Sequence, residues 1–429
     1  MSWRITVFLL FLVGISYSQS LYFPPTFGAW ETTDPEELGW CEDELNGLQE
    51  FLDERDTKSF IVLKEGRIVL EWYYDGFTQD SIWYWASAGK SLTATLVGIA
   101  QEEGLLSIDD PTSDYLGTGW TQLSPEQESQ ITIRHQLTMT TGLNDIAVDV
   151  DCTDPACLTY LAEPGTRWAY HNAPYTLLGA VIEAASGQTL NQFFNTRVGN
   201  RIGALGAYIS LNYNRVFFSR TRDMARFGLM ILGNGQWGVN SILGDQSYLT
   251  AMTTPSQDLN PAYGYLWWLN GQESFQQPRL QFNFEGSIIP TAPDDMFAGL
   301  GKNDQKVYVV PSQDLVVVRL GNDAGEGLLA LSDFDSLLWQ KIEALACVTS
   351  TTDIPSEKTL RVAPNPVRGQ MQLQTDGLIE SLQLIAITGQ NWPLPAQNSV
   401  DVSNFPPGLY WLETKLVGAQ PIITKVILN

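Results

Sequence analysis

The 429-residue chain has only two histidines, four cysteines and half as many basic as acidic side chains, 24 Lys+Arg against 48 Asp+Glu, for a formal net charge of −24. Each scarcity excludes something. Neutralising phosphates needs a surplus of Lys and Arg on some face, so nucleic acid is excluded as a partner, and docking on anionic lipid fails for the same reason. With His135 and His171 as the only imidazoles and no Cys-x-x-Cys, no metal-ligand spacing exists, and no metal or other cofactor is expected. No Gly-x-Ser-x-Gly elbow is present, which argues against a Ser-His-Asp hydrolase, and His135 is expected to serve a helix N-terminal turn leading to Thr140-Thr141-Gly142. No stretch outside the N-terminus approaches 18 uninterrupted apolar residues, so the mature chain carries no membrane span.

What is abundant is core-forming material: 44% hydrophobic residues with 14 Trp, 16 Tyr and 18 Phe, which excludes disorder as the main state. The N-terminus reads as a secretory signal over residues 1–18. Arg4 precedes the apolar run Val7–Ile15, and Ser16-Tyr17-Ser18 offers a small-x-small cleavage site. Nine residues rise about 14 Å as a helix, too short for a bilayer core of about 30 Å. Export permits disulfides. Cys152 and Cys157 are close enough to staple a turn, which leaves Cys41 to pair with Cys347.

The chain divides near residue 352. Domain boundaries are expected at 25–347, with a polar linker over 348–358 and a second domain over 359–429. That last segment has four basic residues (Arg361, Arg368, Lys415, Lys425) and four acidic ones (Asp376, Glu380, Asp401, Glu413), so the negative charge belongs to the first domain. Its alternating runs Met371–Gln374, Ser381–Ile387, Leu409–Lys415 and Ile422–Leu428, separated by Gly, Pro and Asn, predict a small all-β sandwich. In the first domain the pattern predicts a helix over Glu42–Glu54, then strands Ser59–Lys64 and Arg67–Tyr74 turned by Glu65-Gly66. Two late strands, Lys306–Val310 and Asp314–Leu320, precede a helix over Glu326–Ala346. Both chain ends thus build one antiparallel sheet flanked by helices, an α+β fold with a mostly helical insertion from Ser87 to about Ala262.

Three short motifs carry the chemistry. In Trp85-Ala-Ser87-Ala-Gly-Lys90-Ser, a serine and a lysine three apart share one helix face, about 5–6 Å apart at Cβ. A serine hydroxyl is inert until a neighbour removes its proton, and a buried lysine with a lowered pKa can do so. Ser87 would also sit where free helix N–H groups receive an oxyanion. In Pro164-Gly-Thr-Arg-Trp-Ala-Tyr170-His-Asn172, extended residues two apart face one cavity, so Tyr170 can relay a proton and Asn172 can hold a substrate carbonyl while His171 points elsewhere. In Phe297-Ala-Gly299-Leu-Gly301-Lys302-Asn, glycines beside a strand permit close backbone approach, and the N–H following Gly301 is a second candidate oxyanion donor. Trp83, Trp85, Tyr265, Trp267 and Trp268 are candidates to line an acyl site or to pack the core.

In this order the motifs resemble the serine β-lactamase and penicillin-recognising superfamily. The likeness is greatest to its class C-like branch with esterases, D-alanyl-D-alanine peptidases and 6-aminohexanoate-dimer hydrolases. Connecting phrases such as Ile131-Thr-Ile-Arg-His-Gln-Leu-Thr-Met-Thr-Thr-Gly and Leu177-Leu-Gly-Ala-Val-Ile-Glu extend the resemblance over about residues 25–347. The resemblance implies a β-lactamase/transpeptidase-like fold, Ser87 as acyl-enzyme nucleophile, Lys90 as its base and Tyr170 as general base and acid. It further implies Asn172 as a substrate contact, with Gly301 beside it, and the N–H groups of Ser87 and Lys302 as oxyanion hole. One departure stands out. The family's third motif usually opens with a cation that grips a substrate carboxylate, and here the position is Gly299-Leu300-Gly301, with Lys302 expected to face away. That weakens a true β-lactamase or D-alanyl-D-alanine peptidase against an ester or amide hydrolase, and a non-catalytic surface binding protein is the remaining alternative. The tail, with Val362-Ala-Pro-Asn365-Pro366-Val-Arg-Gly369, Pro407-Gly408-Leu-Tyr410-Trp and Lys425, resembles the sorting domain of the type IX secretion system. This implies passage through the periplasm and outer membrane of a Gram-negative bacterium, with that machinery as a partner and a secreted or surface location.

Overall fold

A computed structural model describes residues 21–146, 149–325, 331–347, 360–375, 377–386, 390–417 and 421–428. The expected signal and linker lie outside these. None of the described helices is long and apolar enough to cross a membrane.

The central sheet has six antiparallel strands in the order Arg67–Tyr73, Thr57–Lys64, Leu315–Gly321, Gln305–Val310, Phe297–Gly301 and Trp268–Leu269. Strands from the two ends of the first domain are therefore neighbours, as the pattern predicts. The turn Glu65-Gly66 has both φ angles positive, 52° and 86°, the geometry a two-residue hairpin requires. Gly66 has no alternative, because a Cβ there would lie 1.8 Å from the Tyr22 carbonyl oxygen.

Side-chain alternation assigns the two faces of the late hairpin. Val307 and Val316 point to the helix Thr221–Leu232, where Gly228 leaves room for them. Lys306, Tyr308 and Arg319 point the other way, to the helix Asp333–Glu343. There Lys306 Nζ lies 2.8 Å from Asp335 and 3.2 Å from Asp304, Tyr308 packs edge-on against Trp339, and Arg319 covers Phe334. All three ionic partners are essentially inaccessible to water. Such a cluster is weak evidence of net stability, but slipping the strand by one residue would bury its charges unpaired on the apolar face.

The first helix occupies Glu42–Glu54 as predicted and stacks Phe51 on Phe334 of the last. The last helix is shorter than its apolar pattern: Ser332 caps it and it runs Asp333–Glu343, while residues 326–330 lie outside the described ones. The insertion is less helical than expected. Gly206–Leu211 and Asn214–Ser219 form a hairpin that pairs with Trp83–Tyr84. Its middle is the helix Gly89–Glu102, buried from Gly89 to Ala100. Thr93 and Thr95 fit the dry interior by hydrogen-bonding the carbonyls of Gly89 and Ser91.

The C-terminal segment is all-β. One sheet joins Leu360–Ala363, Gln370–Thr375 and Ser399–Asp401; the other joins Asn391–Leu394, Ile379–Ala386, Gly408–Leu416 and Ile422–Leu428. Met371, Leu373, Leu384, Leu412 and Val426 close a core between them. Three of these seven strands had no clear alternation, being three or four residues long.

Both disulfides are formed, Cys41–Cys347 and Cys152–Cys157. The first spans 306 residues, and its strands also exchange backbone hydrogen bonds, Cys41 N–H to Leu345 and Cys347 N–H to Gly39, both 2.9 Å. Restricting so long a loop in the unfolded chain is worth about 2–5 kcal/mol. The Cys41→Ser/Cys347→Ser double variant is therefore expected to melt several degrees below the parent in thermal unfolding followed by circular dichroism. Cys152→Ser/Cys157→Ser, closing a loop of only a few residues, is expected to cost clearly less. Equal melting temperatures for parent and first variant would refute the assignment of that bridge as a stability element.

Candidate active site

Ser87 lies in the 3-10 turn Ala86–Ala88 that enters the central helix, rather than within the helix itself. Ala86 adopts φ +47°, a conformation costly for a residue with a Cβ and held only by its surroundings. Those surroundings are tight. The buried Trp85 gives its backbone N–H to Phe217 O at 2.9 Å and its indole N–H to Ser219 Oγ at 2.8 Å, so the turn cannot rotate.

Lys90, in the first turn of the helix, is 3% exposed and donates from Nζ to Ser87 Oγ at 2.9 Å. The rings of Tyr170 and Tyr175 cover it at 4.9 Å and 4.4 Å. Burial lowers its pKa from the ordinary lysine value to about 7, with the negative charge of Asp151 acting in the opposite direction. A large fraction of Lys90 is thus neutral near pH 7 and able to accept a proton.

Tyr170 brings its phenol to Ser87. Burial holds that phenol well above the ordinary tyrosine range, with the hydrogen bond to Ser87 a smaller opposing effect. It is a neutral donor at any ordinary pH, and so a relay and acid rather than a phenolate base. Its ring is fixed by stacking on Trp268, 5.8 Å between centroids at 18°, and edge-on by Tyr263. Of the five aromatics proposed for an acyl site, Trp268 alone touches a site residue in this way. Trp85, Trp267 and Tyr265 are core residues, with Trp267 stacked on Phe227.

The third expected contact is revised. Asn172 does not continue an extended strand: it is the first residue of the helix Asn172–Ser186, with His171 as its N-cap. One N–H of its NH2 donates to Asp151 at 2.7 Å, which leaves the second N–H of that group outside this bond. Its Oδ1 is buried with no hydrogen-bond partner among the described residues. His171 is buried beside it, its pKa lowered to about 4 chiefly by that burial, so it stays neutral and serves the packing. His135 does belong to a helix N-terminus, its ring accepting from the Thr132 N–H at 3.1 Å.

Gly299 and Gly301 form an interior strand, Phe297–Gly301, buried throughout. Within the protein their missing side chains have a packing role. A Cβ on Gly301 would lie 2.6 Å from Trp85 O and 3.1 Å from Ser87 N, and one on Gly299 3.1 Å from Ala88 O. The missing side chains let this strand lie directly on the serine-bearing turn. Lys302 leaves the strand into the turn Lys302–Asp304 with its side chain exposed. Next to it Asn303, at φ +59°, donates to Tyr84 OH at 2.7 Å, tying the strand end to the residue before Trp85.

The sequence reading missed Tyr175 and Asp151. Tyr175 lies on the face of its helix that meets Lys90. Asp151 sits beside Cys152 on the bridged loop, and an acidic residue next to a cysteine gives no periodic signal.

Residues 48–337 match the β-lactamase family, more than half of the chain. A 6-aminohexanoate-dimer hydrolase of Paenarthrobacter ureafaciens is 23% identical over 316 residues, 65% of this chain and 76% of that enzyme. Among solved structures, a 6-aminohexanoate-dimer hydrolase-like protein of Bacillus anthracis superposes with a TM-score of 0.59 at 18% identity, covering 76% of this chain and 90% of that one. EstCE1, a hydrolase with promiscuous acyltransferase activity, gives 0.52 at 17% identity over 71% and 98%. These structural likenesses carry the fold. The family match over 48–337 shows that the chain belongs to the β-lactamase family of serine hydrolases.

Proposed function

We propose that the chain is an exported hydrolase that cleaves an ester or amide through an acyl-enzyme on Ser87. The observation that carries this reading is the 2.9 Å hydrogen bond from a buried, half-neutral Lys90 to the Ser87 hydroxyl. Neutral Lys90 takes the hydroxyl proton as Ser87 Oγ attacks the carbonyl carbon. The negative charge on the carbonyl oxygen falls between the N–H groups of Ser87 and Lys302, which the side-chain-free Gly301 allows to converge. Tyr170, held as a phenol against Ser87, passes a proton to the leaving group and regains one through Lys90. Water then attacks the acyl carbon along the reverse proton path, freeing the acid and Ser87.

The signal over residues 1–18 and the tail's resemblance to a type IX sorting domain support export to the surface of a Gram-negative cell. A neutral all-β tail beside a strongly acidic first domain fits a detachable address better than part of the catalytic unit.

Two measurements test the site. A fluorophosphonate probe should add one adduct to the purified chain by intact mass and none to Ser87→Ala; an unmodified parent of correct fold would refute the nucleophile. Because the base must be neutral, kcat/KM for a simple aryl ester should rise with pH through a midpoint near 7. Lys90→Ala should lower it by about three orders of magnitude or more. In Asp151→Asn, loss of the nearby negative charge should move the midpoint to lower pH. A midpoint that stays fixed would show that Asp151 does not act on the base.

A further inference from the structure

Lys90 and Thr93 stand three apart on the central helix and so share one of its faces. Tyr175, buried in the first turn of the Asn172–Ser186 helix, meets both of them. Lys90 Nζ lies over its ring, 4.4 Å from the centroid, and its hydroxyl is 3.4 Å from Thr93 Oγ1. Thr93 is fixed in turn by Tyr208 OH at 3.2 Å and by the Gly89 carbonyl at 3.4 Å. One helix face thus carries both the lysine and the anchor of the ring that covers it. Held through its hydroxyl, Tyr175 keeps its face, and not its edge, toward Nζ.

That orientation has an electrostatic sign. An aromatic face is negative, so it attracts an ammonium and gains little from a neutral amine. It opposes the burial that strips Lys90 of its proton, in the same direction as the charge of Asp151. The other titratable groups on the elements packed around Lys90 are held neutral by burial. They are Tyr170, Tyr263 edge-on to it, Tyr208 beyond Thr93, Tyr248 with its hydroxyl on Ala94 O, and His171 at the helix N-cap. The strand Phe297–Gly301 brings no titratable side chain.

We propose that Tyr175 is a positioning residue of the catalysis: its face, locked over Nζ by Thr93, favours the ammonium form of Lys90 and so sets the pH at which Ser87 becomes reactive. The inference rests on the reading of Lys90 as the base for Ser87. Tyr175 touches no reacting atom in it and acts through the lysine alone.

The test changes the charge of the face and keeps its shape. Tyr175→Phe orphans no buried partner, because the Thr93 hydroxyl retains Tyr208 and Gly89. Difluoro- and pentafluorophenylalanine, incorporated at the same position, then withdraw negative charge from the ring face while adding little volume. For each protein kcat/KM on phenyl acetate is followed by phenol release as a function of pH, with circular dichroism melting curves to confirm the fold. Tyr175→Phe should keep the midpoint of the parent. Stepwise fluorination should lower it by about 0.5 to 1.5 pH units in all, the range of a desolvated cation–aromatic contact, because a weaker face holds the proton less firmly. A ring that only packs would leave the midpoint in place, so equal midpoints across the folded series overturn the proposal, and so does a midpoint that rises. Fluorophosphonate labelling of the parent is run in parallel. Absent labelling takes down the Ser87–Lys90 reading and this inference together, whereas labelling with a fixed midpoint removes the inference alone.

Discussion

The site depends on a lysine kept out of water. Taking an ammonium from solvent into a packed interior is unfavourable enough that the group loses its proton rather than remain charged, unless a partner compensates. Here the compensation is deliberately partial: two aromatic faces, one hydroxyl and a carboxylate acting through space instead of by contact. A carboxylate bonded to Nζ would hold Lys90 charged and useless as a base. With the Asp151 hydrogen bond directed to Asn172, its field only partly offsets the burial, and the lysine pKa stays lowered to about 7. The same burial acts oppositely on Tyr170, raising its phenol, so one dry environment creates a base and an acid side by side.

That dryness is a property of the sheet as much as of the helix. The central helix is buried on all sides, and its N-terminal turn meets the Phe297–Gly301 strand with no side chain between them. Glycine in a strand interior normally weakens it. Here its absence of a side chain lets the strand lie against the backbone of Trp85, Ser87 and Ala88. Behind this strand the buried Lys306–Asp304–Asp335 cluster fixes the register of the hairpin, so the strand end cannot slide relative to Ser87.

Much of this was legible in the sequence because it follows from short-range rules. The first helix, the Glu65-Gly66 hairpin, the late strands and the Ser87–Lys90 spacing each depend on residues within a few positions of one another. Both disulfides followed from loop length and elimination. What was not legible is long-range or conformational. Asn172 belongs to an extended dipeptide by spacing, but a helix starts at that residue, which turned its side chain to Asp151, 21 positions away. The glycines of the third motif suggested a close backbone approach, and the partner the structure shows there is the protein's own turn at Ser87. The hairpin Gly206–Ser219 carries alternation on one side only, so it merged into the helical surroundings.

The electrostatic character of the site follows from two facts taken together. Where the family's third motif usually opens with a cation, this chain has Gly299, in a strand buried throughout, and the next lysine, Lys302, points into solvent, where a charge counts for little. Asp151 adds a negative charge that acts on Lys90. A substrate carboxylate would thus lose its usual counter-ion and gain a repulsive neighbour in the same pocket. It would also push the Lys90 pKa upward, protonating the base that must act on it. On the proposed mechanism, penalties in binding and in chemistry would reinforce one another against anionic acyl groups. A neutral acyl chain meets neither penalty, so the same proposal favours an uncharged ester or amide.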